Sequence, residues 1–223
     1  MFKFITRSVP MLLILLFGGV SLAKAQNFSV YFGAGAATDS SNGQQLECDE
    51  ATTLNCTSGI DHPDIGPKMT GAFGIFGADF MWKPKLGFGG EYSWRFAQGP
   101  FAPQESVTYR PTFYDFNVIW HPLGKNPRVV PEVQGGIGGV SIKLYESESG
   151  CLSGAIGCST LSEYLSSDNH FQVHFSGGIR LYVKGGIYIR PQVDLRYVPN
   201  LIEFGSNFVP EYDVVLGYTF GEH

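Results

Sequence analysis

The sequence predicts an all-β fold, an eight-stranded antiparallel up-and-down transmembrane β-barrel. Three observations predict it: apolar and polar residues alternate one by one, eight segments show this alternation, and the connections between them are short and long in turn. The composition agrees, because 43% hydrophobic and 14% aromatic residues make the chain too apolar to be disordered.

Residues 1–25 have the order of a cleaved secretory signal peptide. Lys3 and Arg7 precede the apolar run 11–17, and Ala23-Lys24-Ala25 supplies the peptidase site, whereas a buried N-terminal helix is the alternative. The mature barrel domain is then 26–223. Of the 15 basic residues, Lys3, Arg7 and Lys24 are removed, which leaves 12 against 20 acidic residues and a net charge of −8. That charge argues against a nucleic-acid partner.

The alternation is clearest in residues 187–197, where every position obeys it. The predicted strands are 27–37, 70–82, 86–97, 108–121, 128–143, 169–183, 186–199 and 209–220. Most are long enough for the roughly 9–11 residues that cross a bilayer at a barrel tilt. Short connections at 83–85, 122–127 and 184–185 define one end, and long ones at 38–69, 98–107, 144–168 and 200–208 define the other.

The two faces of the predicted strands carry different side chains, and this difference indicates which face contacts lipid and which lines the lumen. One face carries large aromatics and the other carries charges of both signs. A charge that faces lipid at the midplane costs ~2–4 kcal/mol, so the charged face should line the lumen. The predicted polar network in the lumen is Asp79, Glu91, Arg95, Asp115, Glu132, Arg180, Arg190, Asp194, Arg196, Glu211 and Asp213, together with Asn117, Gln134, His174 and Gln192. The predicted aromatic girdles include Trp82, Trp94, Trp120, Tyr197, Tyr212 and Phe220.

Two features depart from a regular barrel. Pro111, Pro131 and Pro191 each remove a backbone donor, so we expect bulges or broken pairing beside them. The fifth strand also changes phase after Gly139, which predicts a bulge between Gly135 and Gly139.

The four cysteines fall as two local pairs in the predicted long connections. Export permits disulfides, and proximity favours Cys48–Cys56 and Cys151–Cys158, although sequence leaves three pairings open. Neither pair has histidine partners at metal-ligand spacing, so no metal site is expected from the cysteines.

Signal peptide, eight alternating strands, long connections at one end and the final Leu216-Gly-Tyr-Thr-Phe220 resemble the small outer-membrane β-barrel family of the OmpA transmembrane domain, OmpX and OmpW. The resemblance covers residues 26–220. It implies the outer membrane of a Gram-negative-type bacterium, with lipid as the surroundings and Phe220 as the counterpart of the terminal aromatic that the barrel-assembly machinery recognises.

The function predicted from the sequence is structural or surface-interacting, with a lumen plugged by paired charges, because an eight-stranded barrel is wide enough only for side chains. The alternative is a narrow porin or transporter for small solutes, as the OmpW resemblance implies. No enzyme is predicted, since His174 and Ser176 would face the lumen, out of reach of a lipid chain. No cofactor and no metal are expected, and a ligand of the extracellular loops is left open.

Overall fold

The strands form a ring in which each pairs with its neighbours along the chain. A computed structural model describes residues 27–38, 69–100, 107–124, 128–151, 158–199, 201, 204 and 206–221. The strands are β1 (Asn27–Ala37), β2 (Gly71–Lys83), β3 (Leu86–Arg95), β4 (Gly99–Pro100), β5 (Val107–Trp120), β6 (Val129–Cys151), β7 (Cys158–Lys184), β8 (Ile187–Tyr197) and β9 (Phe208–Phe220). The predicted signal peptide and the Cys48–Cys56 pair lie outside the described residues.

The ring closes between the first strand and the last. All pairings are antiparallel, β1 pairs with both β2 and β9, and β3 pairs directly with β5. The predicted eight-stranded up-and-down barrel is confirmed, with the two-residue β4 added beside β5 beyond the end of β3. No helix in the described part of the chain is long and apolar enough to cross a membrane.

The barrel has two unlike ends, which are called lower and upper here. The lower end carries the connections β2–β3, β5–β6 and β7–β8, and the upper end carries the others. Gly185 makes the lower turn after β7 with φ = 55°, a conformation that L side chains rarely adopt. The upper end differs from the prediction, because β6 and β7 continue as a paired ribbon into the predicted loop 144–168. The base of this ribbon also pairs with β5 as far as Val107↔Glu146, and only the part beyond Glu146 is two-stranded. The strand pairing that begins in the barrel wall continues along this ribbon. The Ser- and Glu-rich sequence of the ribbon shows little alternation of apolar and polar residues.

Two of the three prolines lie where pairing is interrupted. Between β3 and β5 the ladder stops at Trp94↔Thr112, and the β4 pairing resumes at Tyr109, which leaves Pro111 in the gap. The β7–β8 ladder has a gap beside Pro191. Pro131 lies past the end of the β5–β6 ladder. The missing backbone donors therefore cost few ladder hydrogen bonds.

The wall has an apolar outside and a polar inside. In β8 the odd-numbered residues from Ile187 to Tyr197 are exposed and the even-numbered ones from Tyr188 to Arg196 are buried. This pattern is the reverse of a water-soluble barrel, in which aliphatic side chains fill the interior.

The predicted change of phase in β6 is wrong. The β5–β6 register runs without a break from Val107↔Glu146 to Trp120↔Val133, and the bulge lies at Leu144/Tyr145 in the β6–β7 ladder. Val140 and Ile142 therefore keep the inward phase of the strand. They point inward because the upper lumen holds a hydrophobic cluster, which comprises Ala37, Met69, Phe73, Tyr109, Phe113, Val140, Ile142, Val198, Leu201, Phe204 and Val209.

Glycines inside the wall make room for two tyrosine rings. Tyr31 is paired with Gly77 and Tyr188 with Gly217, and each ring lies where a glycine Cβ would stand. Cross-strand contacts of this kind hold the register of adjacent strands.

Replacing Gly77 with alanine is expected to destabilise the barrel by about 1–3 kcal/mol, because the new methyl group overlaps the Tyr31 ring. The matched control is Gly177→Ala, since nothing among the described residues lies within 4 Å of a Cβ at Gly177. The measurement is the urea midpoint of the barrel in detergent, followed by the difference in gel migration between unheated and boiled samples. Equal midpoints for the two variants would contradict this packing.

Candidate functional site in the barrel lumen

The strands place most of the predicted polar network together inside the barrel. Arg95 is half-buried near the upper end, where its guanidinium lies 5.1 Å from the Tyr109 ring. The residues buried in the lumen are Asp79, Glu91, Asp115, Glu132, Arg180, Arg190, Asp194, Arg196, Glu211 and Asp213, together with Asn117, Gln134, His174 and Gln192. They come from β2, β3, β5, β6, β7, β8 and β9, because alternate residues of each strand point to the axis.

Two arginines organise the lower lumen. Arg180 donates from Nη2 to Asp79 Oδ2 at 2.5 Å and from Nε to Glu132 Oε2 at 2.5 Å. Arg190 Nη1 donates to Glu132 Oε1 at 2.6 Å and lies 3.5 Å from Asp79 Oδ2. Two carboxylates thus balance two guanidiniums, and the bonds connect β2, β6, β7 and β8 across the lumen.

Aromatic rings and small polar groups complete the lower lumen. The guanidinium of Arg190 lies 4.1 Å from the centre of the Tyr31 ring, and that of Arg180 lies 4.9 Å from the centre of Tyr188. His121 Nε2 is 2.8 Å from Glu132 Oε2. The sequence analysis missed Tyr31, Tyr188 and His121 as members of this site. The signal that could have found the tyrosines is the alternation itself, which puts both on the inward face.

Arg196 organises the upper part of the polar lumen. Its guanidinium donates from Nη1 to Glu211 Oε2 and from Nη2 to Glu91 Oε1 at 3.3 Å. The same group lies 4.8 Å from the centre of the Phe113 ring, so it joins the polar network to the hydrophobic cluster above. Ser93 Oγ donates to Glu211 Oε1 at 3.0 Å.

His174 occupies the centre of the upper carboxylate group. Its Nδ1 lies 2.9 Å from Asn117 Oδ1 and 3.2 Å from Asp115 Oδ1, and its Nε2 lies 3.0 Å from Asp194 Oδ1. Both ring nitrogens therefore face acceptors that are not the hydroxyl of Ser176. A histidine that activates a serine needs one nitrogen directed at that hydroxyl, so this geometry favours a structural or ligand-binding role over nucleophilic catalysis.

The predicted girdle residues all lie on the outer wall. Phe220 stacks with Phe28 at the lower end, with ring centres 6.1 Å apart. At the upper end, the ring centres of Tyr197 and Phe208 are 4.9 Å apart. Exposed side chains are Trp82, Trp120, Tyr197, Tyr212 and Phe220, and Trp94 is half-exposed between Tyr92 and Phe96.

Replacing Arg180 with methionine is expected to lower the free energy of unfolding by about 3–5 kcal/mol, because the change leaves Asp79 and Glu132 buried with less compensation. Lys85→Met, at the exposed lower turn, is the matched control and should change little. Urea unfolding in detergent micelles measures both. A loss below 1 kcal/mol for Arg180→Met would contradict a stabilising role for this network.

Comparisons with known proteins identify the fold. No family model matches the chain, and no curated protein matches it. The crystal structure of Neisserial surface protein A (NspA) is 13% identical, with a TM-score of 0.53 over 86% of this chain and 97% of that one. Ail of Yersinia pestis is 12% identical, with a TM-score of 0.49 over 88% and 99%. The outer membrane protein OprG from Pseudomonas aeruginosa is 12% identical, with a TM-score of 0.47 over 90% and 98%.

With a TM-score above 0.5, the comparison with NspA establishes the architecture, and at 13% identity it establishes no activity. The resemblance predicted from the sequence is confirmed at this level. The chain has the fold of the small outer-membrane β-barrels.

Proposed function

We propose that the protein is an integral barrel of a bacterial outer membrane, with a lumen closed by its own side chains and a working surface at the upper end. The observation that carries this proposal is the reversed alternation, in which aromatic and aliphatic residues are exposed while arginines and carboxylates are buried. Lipid outside and a paired polar network inside satisfy both faces.

The height of the apolar band supports a membrane location. Along β9 the outward residues from Tyr212 to Phe220 span eight steps, about 27 Å at 3.4 Å per residue. At a barrel tilt this approaches the roughly 25 Å apolar band of outer-membrane barrels. In the strands that the structure describes, the outward positions between the upper and lower aromatics carry no charged side chain.

Two basic residues lie just beyond the upper girdle. Arg110 and Lys143 are directly opposed across the β5–β6 ladder on the outer wall. They line a cleft together with Tyr92, Trp94 and Tyr145. Long basic side chains at this height extend toward the polar headgroups while their stems cover apolar surface. We infer that the upper girdle marks the membrane surface, with outer-membrane lipid as the principal partner.

The lumen contents support a closed barrel. Arg180, Arg190 and Arg196 each contact at least two carboxylates. The hydrophobic cluster lies above them and includes Phe73 and Phe113, whose ring centres are 5.9 Å apart. A solute that crosses would have to separate both layers.

The β6–β7 ribbon is the surface best placed for interaction. β7 pairs with β8 only from Val173 onward, so the edge of β7 between Val173 and Cys158 is not covered by β8 over about 50 Å at 3.3 Å per residue. Residues 162–169 are exposed, and Gln98 supports the ribbon through a hydrogen bond from its Nε2 to Ser162 Oγ at 3.2 Å. Loops and ribbons on a rigid barrel are common recognition surfaces.

The backbones of Cys151 and Cys158 face each other at the tip of the ribbon. This register agrees with the predicted Cys151–Cys158 disulfide, which we propose as a staple that stabilises the ribbon. Recognition of Phe220 by the barrel-assembly machinery and cleavage after residue 25 also remain proposals.

Purified protein in planar lipid bilayers is expected to give no reproducible single-channel steps, because both lumen layers block passage. Steps of uniform size would contradict the closed barrel and support the alternative, a narrow porin for small solutes. In that case Glu91→Gln should change the conductance or ion selectivity, since the Glu91 carboxylate contacts Arg196 in the lumen. In a closed barrel the same substitution changes stability alone.

Chymotrypsin added to intact cells that display the protein is expected to cut the ribbon at Tyr164, which is 53% exposed, and to leave the barrel folded. Immunoblotting with and without permeabilisation measures the cleavage. Tyr164→Ser is the matched variant and should lose this cut. We propose that the upper end faces the outside of the cell, and cleavage at Tyr164 that requires permeabilised cells would contradict this orientation.

A further inference from the structure

Charge is balanced in the lower lumen and unbalanced in the upper lumen. Below, Asp79 and Glu132 meet Arg180 and Arg190. In the upper polar layer, the buried carboxyls are Glu91, Asp115, Asp194, Glu211 and Asp213, and the basic residues among them are Arg196 and His174. Arg190 reaches this layer from below, with its Nη2 3.7 Å from Glu91 Oε2, but its closer partners are Asp79 and Glu132. Buried charges that lack a partner are strongly destabilising, so the carboxyls of this layer are stabilised either by shared protons or by further positive charge.

Three of these residues bring metal-ligating atoms together. Glu91, His174 and Asp194 come from β3, β7 and β8, and one ligand atom of each lies within 4.8 Å of the others. All three side chains are buried. A tetrahedral shell places such atoms about 3.3 Å apart, given metal–ligand bonds of roughly 2.0–2.1 Å. Because His174 Nε2 and Asp194 Oδ1 are already 3.0 Å apart, binding would replace the hydrogen bond between them and bring the Glu91 carboxylate toward them.

The orientation of His174 is that of a ligand. Asn117 Oδ1 and Asp115 Oδ1 accept from Nδ1, at 2.9 Å and 3.2 Å, which leaves Nε2 directed toward Asp194. Metal-binding histidines usually donate their second ring N–H to a carboxylate or carbonyl oxygen, because that bond fixes the ring and its tautomer. Asn117 is held in turn, since its Nδ2 donates to Asp115 Oδ1 at 2.7 Å.

The surroundings of Asp213 independently favour a cation in the upper polar layer. The Asp213 side chain is 3% exposed, and no basic or neutral donor among the described residues reaches its carboxylate oxygens. The group that does contact them is the carboxyl of Asp194, a second acid. Two adjacent buried carboxylates repel unless a cation or a shared proton lies between them.

We propose that the upper lumen binds one divalent transition-metal ion through Nε2 of His174 and the carboxylates of Glu91 and Asp194, with Asp213 as the adjacent further carboxylate. One imidazole with carboxylates suits Zn²⁺, whereas Ca²⁺ and Mg²⁺ prefer shells made of oxygen alone. The ion links β3, β7 and β8 and supplies the positive charge that Arg196 cannot provide to all five carboxyls. This site does not depend on whether the barrel conducts.

The test uses the oxidised full-length mature chain, which is unfolded in urea, stripped of metal with a chelator and then folded in detergent at a series of free Zn²⁺ concentrations, because the closed lumen blocks entry of the ion after folding. The Zn²⁺ that stays with the folded barrel after gel filtration is measured by atomic absorption, and folding of each sample is checked by the difference in gel migration. Wild type is expected to bind one Zn²⁺, and His174→Gln should bind at least tenfold more weakly. Asp168→Asn, on the exposed part of the ribbon, is the matched control and should bind as wild type does.

A second variant keeps the proposal testable if His174→Gln does not fold. Asp213→Asn preserves shape and removes one negative charge, and it should weaken Zn²⁺ binding several-fold. Wild-type protein that binds no Zn²⁺, or binding that is equal in wild type and in the folded lumen variants, would overturn the proposal. The second result would assign the ion to residues outside the lumen.

Discussion

The structure depends on the pairing of charges inside a narrow cylinder. An eight-stranded barrel encloses space for side chains and little water, so each buried guanidinium must find carboxylates within a few ångströms. Arg180 and Arg190 meet this requirement by sharing Asp79 and Glu132. Arg180 and Glu132 lie on neighbouring strands, but Asp79 is on β2, far around the ring from both arginines, so the same bonds that neutralise charge also brace the ring across its diameter.

The lumen has three layers with different chemistry. The lower layer is a balanced set of arginines and carboxylates with tyrosine rings stacked on the guanidiniums. The middle layer is rich in carboxyls around His174 and Arg196. The upper layer is the hydrophobic cluster, which Arg196 contacts through Phe113. This order isolates the acidic layer from the upper surface, which raises the energetic cost of any charge that is not paired there.

Sequence reasoning was strongest where one strand has two unlike faces. In β8 the alternation identified Arg190, Asp194 and Arg196 as inward residues, and the structure places all three in the lumen. It failed in β6, where Val140 and Ile142 resembled a lipid-facing set although they pack inside. An apolar residue is compatible with lipid or with a hydrophobic interior. Polarity alone therefore does not determine whether such a side chain faces outward or inward. The ribbon was missed for a related reason, since its exposed residues 162–169 are mostly polar and show no alternation that distinguishes one face from the other.

By itself the sequence determined the architecture: the number of wall strands, their direction, and the side of the wall on which charges lie. These follow from a period of two and from the cost of placing a charge in lipid, both of which are local properties of each strand. Only the tertiary structure decided which carboxylate meets which arginine, that His174 lies between Asp115 and Asp194, and how far β6 and β7 extend. Those outcomes depend on the register and closure of the ring, which bring together residues as far apart in the chain as Asp79 and Arg180.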